Sequence, residues 1–312
     1  MKESVFFSFI MPAYKASYLS KAIESILNQT YMSFELVIIN DASPENLKEI
    51  VQRYNDSRIV YQENEQNIGG KDLVSNWNHC IKYAKYDYII LATDDDEFCP
   101  QFLSESVKLI EKYPNIDIIR SGVEKIDEHG KTLDMEFPLK EYMTSREFIL
   151  YYAKGGLISC ISNYIFKKDA LEKNNGFISL PKAHFSDDAT VITLSANGIA
   201  CIPTNQMKFR VSTINLSNST DLKTIKEQIK ATELYMNMFL EHVKAQDTIP
   251  GDFFERACYG GFKAKYITMI EKLTDKIRIS HSLYVITTII HDINLFKREK
   301  LKLITNYFIN KL

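Results

Sequence analysis

The chain has 312 residues, is 45% hydrophobic and 25% charged, and carries a formal net charge of −2. That is globular composition, long enough for one large domain or a domain with an appendage. The near-neutral charge argues against nucleic acid as a partner, because binders of nucleic acid carry a basic footprint. Cys80, Cys99, Cys160, Cys201 and Cys258 form no CxxC pair and are odd in number, so they read as reduced core thiols of a cytosolic protein. The N-terminus passes straight into a strand pattern, so no signal peptide is expected. No apolar run approaches the ~20 residues of a membrane span. The expectation is a soluble protein, attached at most to a membrane surface.

In chain order, Val5-Phe6-Phe7-Ser8-Phe9-Ile10-Met11 predicts a strand stopped by Pro12. Leu19, Ala22, Ile23, Ile26 and Leu27 then recur at helical spacing. Phe34 to Ile39 is a second buried strand, ending at Asn40-Asp41-Ala42-Ser43. Ser43 is expected to cap a helix with Pro44 at its first position and Leu47, Ile50, Val51 and Tyr54 on one face. Arg58-Ile59-Val60-Tyr61 is a third strand. A polar loop from Gln62 to Gly70 leads to a helix faced by Leu73, Trp77, Cys80, Ile81 and Ala84. Tyr86 to Ala92 supplies the fourth strand. Strand and helix alternate four times in about 100 residues, the pattern of an α/β fold with a parallel, doubly wound sheet.

The fourth strand breaks into Thr93-Asp94-Asp95-Asp96-Glu97. Adjacent carboxylates beside a core are costly unless a cation sits among them. A hard divalent cation shared with a phosphate is one answer; an acidic, solvated loop capping the next helix is the other. Ligands of open α/β sheets bind at the carboxyl ends of strands. Three marks fall at that edge: Asp41, the stretch Asn67-Ile68-Gly69-Gly70-Lys71, and Asp94-Asp95-Asp96. Alone, Asp41 reads as a turn former and the glycines as a turn before a helix. No GxGxxG follows the first strand and no GxxxxGK[ST] occurs, which disfavours NAD, P-loop and nucleotidyltransferase readings.

Taken together, Ser8-Phe9-Ile10-Met11-Pro12-Ala13-Tyr14, Asn40-Asp41-Ala42-Ser43, Asn67-Ile68-Gly69 and Thr93-Asp94-Asp95 resemble the GT-A glycosyltransferases of family 2. The resemblance covers residues 5–217, about two-thirds of the chain. It implies a GT-A fold, Rossmann-like, with a mainly parallel central sheet flanked by helices. It also implies inverting transfer from a nucleotide-diphosphate sugar. On that resemblance Pro12, Ala13 and Tyr14 lie against the nucleoside, and Asp41 accepts from the imino N–H of a pyrimidine, so UDP is the favoured nucleotide. Asn67, Gly69 and Lys71 belong to the nucleotide side. Asp95 binds Mn²⁺ or Mg²⁺ bridging the diphosphate, and Asp94 faces the metal, ribose or sugar. Thr93 stands where many members carry Asp.

Further on, Asn163-Tyr164-Ile165-Phe166-Lys167-Lys168 with Gly176-Phe177 resembles the family's acceptor-side strand and loop. Phe185-Ser186-Asp187-Asp188 resembles the acidic pair that opens a helix and carries the catalytic base. Asp187 replaces the usual Glu, and Asp188 holds the base position. The plain alternative is capping of a helix N-terminus by two acids, which the helix dipole favours. Lys208-Phe209-Arg210-Val211-Ser212 resembles a closing strand from which Arg210 reaches the diphosphate; Ser212 stands where His is frequent.

Residues 1–218 are expected to form the glycosyltransferase domain and residues 219–312 a helical C-terminal extension. Residues 225–243, 253–273 and 293–312 show helical patterning. The last carries Lys297, Arg298, Lys300, Lys302 and Lys311 around Leu301, Ile304, Phe308 and Leu312. Such a helix either packs on its own domain or a second copy, forming a homodimer, or lies on an anionic membrane. The acceptor is expected to be a glycan or lipid-linked hydroxyl in surface polysaccharide synthesis. The location is expected to be cytoplasmic, with peripheral contact at the inner membrane face as the alternative. The rival class is a catalytically inactive GT-A module that binds nucleotide or a partner.

Overall fold

The buried apolar runs of the first hundred residues do form parallel strands. The computed structural model describes residues 5–212, 220–245 and 253–311. Strands β1 (Phe7–Ala13), β2 (Phe34–Asn40), β3 (Ile59–Glu63) and β4 (Tyr88–Leu91) are joined by helices α1 (Leu19–Leu27), α2 (Leu47–Val51) and α3 (Leu73–Cys80). They lie in the order β3-β2-β1-β4, all parallel. The central strand β1 has neighbours on both edges, and every residue in it except Pro12 is buried. Parallel sheets of this kind need cover on both faces, hence the unbroken apolar runs.

Residue 92 onward leaves β4 and reaches β5 (Glu97–Phe98) at the opposite end of the sheet, followed by α4 (Phe102–Lys112). In space β5 returns to the first strands, the Phe98 ring packing 5.1 Å from Phe9 of β1, so the acidic loop makes only a short crossing. Between β4 and β5 in the sheet run β6 (Ile118–Ile126), β9 (Tyr164–Lys167) and β10 (Ile199–Arg210), in the order β4-β9-β6-β10-β5. β9 is antiparallel to both neighbours, whereas β10 and β6 are parallel. Short strands β7 (Thr132–Met135) and β8 (Tyr142–Met143) pair with β6 and β10. Helices α5 (Ser145–Ala153), α6 (Lys168–Lys173) and α7 (Ser186–Leu194) connect this half. The α/β expectation with a parallel, doubly wound start holds.

Two compact units emerge. The first comprises Met1–Phe148, Leu157–Ser179 and Thr190–Ser212; the second Ile149–Gly156, Leu180–Ala189 and Thr213–Leu312. The first contains the sheet and a core of Phe7, Phe9, Leu36, Ile90, Phe98 and Phe102. The second contains α8 (Leu222–Ala245), α9 (Phe253–Asp275), α10 (Ser282–His291) and α11 (Lys297–Ile309). Its centre is aromatic: the Phe239 and Phe262 rings stack at 3.9 Å, with Tyr152 and Tyr235 packed beside them. The expected domain boundary at 218/219, the end of the resemblance at Ser217, and Leu312 lie outside the described residues.

Two local expectations change, and one helix lies where no element was expected. Helix α2 starts at Leu47 with Asn46 as its cap, the Asn46 side chain accepting from Glu49 N–H. Ser43 instead donates to the Tyr14 carbonyl and accepts from Glu45 N–H, tying two loops together. Pro12 does not end β1, which continues opposite Ile39 to Ala13. It is tolerated because pairing with β4 has already stopped at Ile10, so no ladder donor is lost there. Helix α10 lies in a stretch rich in β-branched residues, Val285-Ile286-Thr287-Thr288-Ile289-Ile290, whose local preference is for strand and which tertiary packing overrides. The five thiols are free, and burial pushes Cys80 and Cys201 up to about 12, so they stay protonated.

Candidate functional site

The first cluster lies at the carboxyl ends of β1, β2 and β4, all within the first unit. Asp41 follows β2 directly and is almost fully buried. Its Oδ1 accepts from Ile68 N–H at 2.9 Å and Asn64 Nδ2 at 2.8 Å, and its Oδ2 from Gly69 N–H at 2.8 Å. Its own N–H donates to the Ala13 carbonyl. One carboxylate thus anchors the loop before α3. Gly69 is required there: a Cβ would stand 2.9 Å from Asp41 Oδ2 and 3.2 Å from Asn76 Nδ2. Asn67 Oδ1 accepts from Gly70 N–H at 2.5 Å, closing the turn. Lys71 is exposed, and its Nζ donates to Gln66 Oε1 at 3.3 Å.

The three consecutive aspartates alternate inward and outward. Asp94 Oδ2 accepts from Tyr14 N–H at 2.8 Å and Lys15 N–H at 2.7 Å, holding the chain leaving β1 against the end of β4. Burial, then the neighbouring Asp95 charge, raises its carboxyl, and the two backbone N–H groups oppose that. Asp96 is turned inward: Oδ2 accepts from Thr93 and Ser162 hydroxyls, and Oδ1 from Arg210 N–H. Burial, then Asp95, pushes it up to about 7. Thr93 therefore serves as a donor to Asp96 rather than as a fourth acid.

Asp95 differs from both. It is half-buried, and its nearest cation is Lys15 Nζ at 3.9 Å. The Asp95 carbonyl accepts from Arg210 Nε at 3.0 Å. The fully buried Arg210 guanidinium also donates to the Asp127 carbonyl, pairs with Glu97 and covers the Tyr18 ring. It acts as a brace beneath the acidic loop. Ala13 is buried, Pro12 half-buried, and the Tyr14 ring is 40% exposed beside them.

The second cluster lies within the second unit, where α7 begins. The approach to it is strained: Lys182, Ala183 and Phe185 all have positive φ, between 55° and 65°. Each such non-glycine residue costs on the order of 1–3 kcal/mol. Ser186 Oγ accepts from Leu180 N–H, fixing the bend. Asp187 Oδ1 accepts from Asp188 N–H at 2.9 Å. Asp188 is buried beside the Tyr152 hydroxyl, and its Oδ1 makes no hydrogen bond of ordinary geometry among the described residues. Burial, then the Asp188 charge, pushes Asp187 up to about 7.

Lys265 of α9 faces this pair. Its Nζ sits 3.5 Å from the centre of the Tyr152 ring. Burial lowers its ammonium, while the Asp188 and Asp187 charges act in the opposite direction. Burial and the Asp188 charge raise the Tyr152 phenol well above its ordinary range. Sequence reasoning had marked neither Lys265 nor Tyr152. Their separation from Asp188 along the chain leaves no local signal, whereas Lys15, adjoining Pro12-Ala13-Tyr14, was within reach of the motif already noted.

The profile of glycosyl transferase family 2 matches residues 8–174, more than half of the chain. That span holds Pro12, Asp41, Gly69 and the aspartates of the β4 loop; Asp187, Asp188 and Arg210 lie beyond it. EpsE of Bacillus subtilis, provisionally named a glycosyltransferase, is 34% identical over 115 residues, 36% of this chain and 40% of that one. The uncharacterized glycosyltransferase MJ1057 of Methanocaldococcus jannaschii is 36% identical over 141 residues, 43% and 47% of the two chains. WcaA of Escherichia coli, provisionally named a colanic acid biosynthesis glycosyl transferase, is 36% identical over 107 residues, 33% and 37%. The chain thus spans less than half the length of each of these relatives.

Among solved structures, Staphylococcus aureus TarS 1–349 in complex with UDP-GlcNAc superposes with a TM-score of 0.65 at 16% identity, covering 98% of this chain and 90% of that one. The mannosyltransferase PcManGT of Pyrobaculum calidifontis, in complex with GDP-Man and Mn²⁺, gives 0.53 at 13% identity, covering 99% and 88%. At such identities the likeness concerns the fold. With the family profile spanning more than half of its length, the chain belongs to glycosyl transferase family 2 and has the GT-A fold.

Proposed function

We propose that the protein is an inverting, metal-dependent glycosyltransferase that moves a sugar from a nucleotide-diphosphate donor, UDP-sugar by preference, to a hydroxyl of a glycan or lipid-linked acceptor. The observation that carries this reading is the division of labour among the aspartates. Asp94 and Asp96 are consumed by the protein, and Asp95 alone keeps a partly exposed carboxylate beside a lysine. No group of three or more His, Cys, Asp or Glu side chains able to hold a metal exists among the described residues. A hard cation held by Asp95, with Asp94 behind it, and completed by diphosphate oxygens fits that donor set. Mn²⁺ or Mg²⁺ would offset the charge gathering on the leaving diphosphate.

The chain's own residues do the rest. Pro12, Ala13 and Tyr14 line the nucleoside side, and the Asp41 carboxylate, with a lone pair to spare, accepts from a uracil imino N–H. The Asn67-Ile68-Gly69 loop and Lys71 border the nucleotide, and Arg210 braces the loop that presents Asp95. Asp188 takes the acceptor proton as the hydroxyl attacks the anomeric carbon opposite the leaving group. Asp187 and Lys265 set its charge environment. Residues 1–218 would carry the transfer chemistry, with residues 219–312 as a helical extension that supplies Lys265. The name of WcaA, a colanic acid biosynthesis glycosyl transferase, supports polysaccharide synthesis as the setting, which we place in the cytoplasm.

Screening UDP-, GDP- and TDP-sugars for Mn²⁺-dependent donor hydrolysis tests the reading. UDP with Mn²⁺ should also raise the melting temperature by mass action. Strong stabilisation by GDP without any by UDP would remove the role given to Asp41. UDP binding without hydrolysis or transfer of any donor would instead make the protein a nucleotide-binding module.

A further inference from the structure

Seven of the seventeen exposed large apolar side chains among the described residues fall between residues 279 and 309. On α11, residues 298, 301, 302, 305 and 309 follow helical spacing along one exposed stripe, opposite the buried Leu303 and Tyr307. The stripe mixes Arg298 and Lys302 with Leu301 and Ile309. The turn before it exposes Ile293, at 87%, and Phe296, with Lys297 next to them. On α10 a second exposed line runs through Leu283, Thr287 and Ile290. Amphipathic helices of globular domains turn their apolar residues inward. Here apolar residues also stand on the outward side, interleaved with cations.

The charges in this region are sorted. Residues 271–311 contain four carboxylates, and each is turned to a partner. Glu271 accepts from Asn306, Asp275 from Asn310, and Asp292 from the Tyr266 hydroxyl and Asn294 N–H. Glu299 accepts from Phe296 N–H and pairs with Lys263 at 3.2 Å. No acidic side chain of the region is exposed, whereas Lys272, Arg278, Lys297, Arg298 and Lys302 all are. A surface that is apolar and, over residues 271–311, exposes cations but no carboxylate complements an anionic lipid surface, where shallow apolar insertion and lysine–headgroup attraction add. A second copy of the same face would bring like charges together. No described helix is long and apolar enough to cross a membrane, so any contact through these helices would be interfacial.

We propose that the exposed faces of α10 and α11, with the Ile293–Phe296 turn, form a docking surface for anionic phospholipid bilayers. The inference stands apart from the proposed activity. The test is flotation of the full chain with phosphatidylcholine vesicles and with vesicles containing phosphatidylglycerol. Binding should occur on the anionic vesicles only and fall as salt screens the attraction. Lys297→Glu/Arg298→Glu/Lys302→Glu should weaken partitioning by at least about 100-fold, since each basic residue contributes roughly fivefold near such a surface. Phe296→Ser/Leu301→Ser should weaken it with the charge intact. Because all five side chains are exposed, both variants should keep the wild-type melting temperature. Equal binding to neutral vesicles, full binding by the charge-reversed variant, or absence of binding to any vesicle would overturn the proposal. So would a concentration-dependent dimer abolished by Leu301→Ser, which would assign the face to a second copy.

Discussion

The two acidic clusters of this protein contain similar side chains in opposite states. Asp41, Asp94 and Asp96 are buried and accept eight hydrogen bonds among them, five from backbone N–H groups. Asp188 is also buried, yet its Oδ1 makes no hydrogen bond of ordinary geometry among the described residues, and the chain reaches it through three left-handed residues. A carboxylate held by backbone N–H groups stabilises the fold by joining strand-end loops. An unsaturated one in a strained setting costs stability, which is the pattern of a group kept ready for chemistry. The first cluster ties strand-end loops together, and the second leaves a buried carboxylate oxygen behind a strained turn.

Substitutions can break that contrast. The largest effect is expected from Asp188→Asn, which should lower transfer by at least ~100-fold, the usual scale for a general base. UDP and Mn²⁺ affinity, read by calorimetry, should stay near wild type, and thermal stability should not fall. Asp95→Asn should weaken metal-dependent UDP binding and turnover together. Near-normal transfer by the Asp188 variant would move the base elsewhere, first to Asp187.

Asp41→Ala is expected to act on folding. It orphans Ile68 N–H and Gly69 N–H and leaves the Asn64 amide only its long bond to Asn76, so chemical denaturation should show a loss of about 2–4 kcal/mol. A loss confined to UDP affinity, with unchanged stability, would contradict the anchoring role described for this carboxylate.

Lys265→Met should raise the pH at which Asp187 ionises, read from the titration profile of its carboxyl, by up to about one pH unit. The lysine's charge favours the ionised form of Asp187, and removing it raises the pH needed to ionise that acid. Lys265→Arg should restore the wild-type profile. A merely structural role for Lys265 would change the melting temperature while leaving the profile in place.

Stability should respond to Asp187 with a definite sign. Its carboxyl is raised in the folded protein from 3.8 to about 7, so its contribution is fully present below about pH 4 and lost as the pH rises through 7. Asp187→Asn removes that loss. The variant's melting temperature should therefore gain on wild type between pH 4 and pH 7, and a gap that narrows over that range would refute the assignment.

The smallest effect is expected at Ala183, where φ is 55°. Ala183→Gly should stabilise by up to about 1 kcal/mol, because glycine adopts this conformation without steric cost. A fall in melting temperature would mean that the bend is not strained at this position.

The sequence by itself determined the parallel sheet and the strand-end motifs. Both depend on local patterns: continuous apolar runs for strands buried on two faces, and turn residues where those runs stop. Phe34 to Ile39 followed by Asn40-Asp41, and Tyr86 to Ala92 followed by three aspartates, carry their fold assignment and their site assignment in adjacent residues. Ser43 was misjudged because its hydroxyl is taken by Tyr14, a partner 29 positions away. Helix α10 escaped because packing overrode the strand preference of its β-branched residues. Only the tertiary structure decided which aspartate stays available, since Asp94, Asp95 and Asp96 are chemically identical. Their difference lies in what reaches them from Tyr14, Lys15, Ser162 and Arg210. It likewise decided that Lys265 faces Asp187 and Asp188, a neighbourhood set by how helices of one unit pack and not by spacing along the chain.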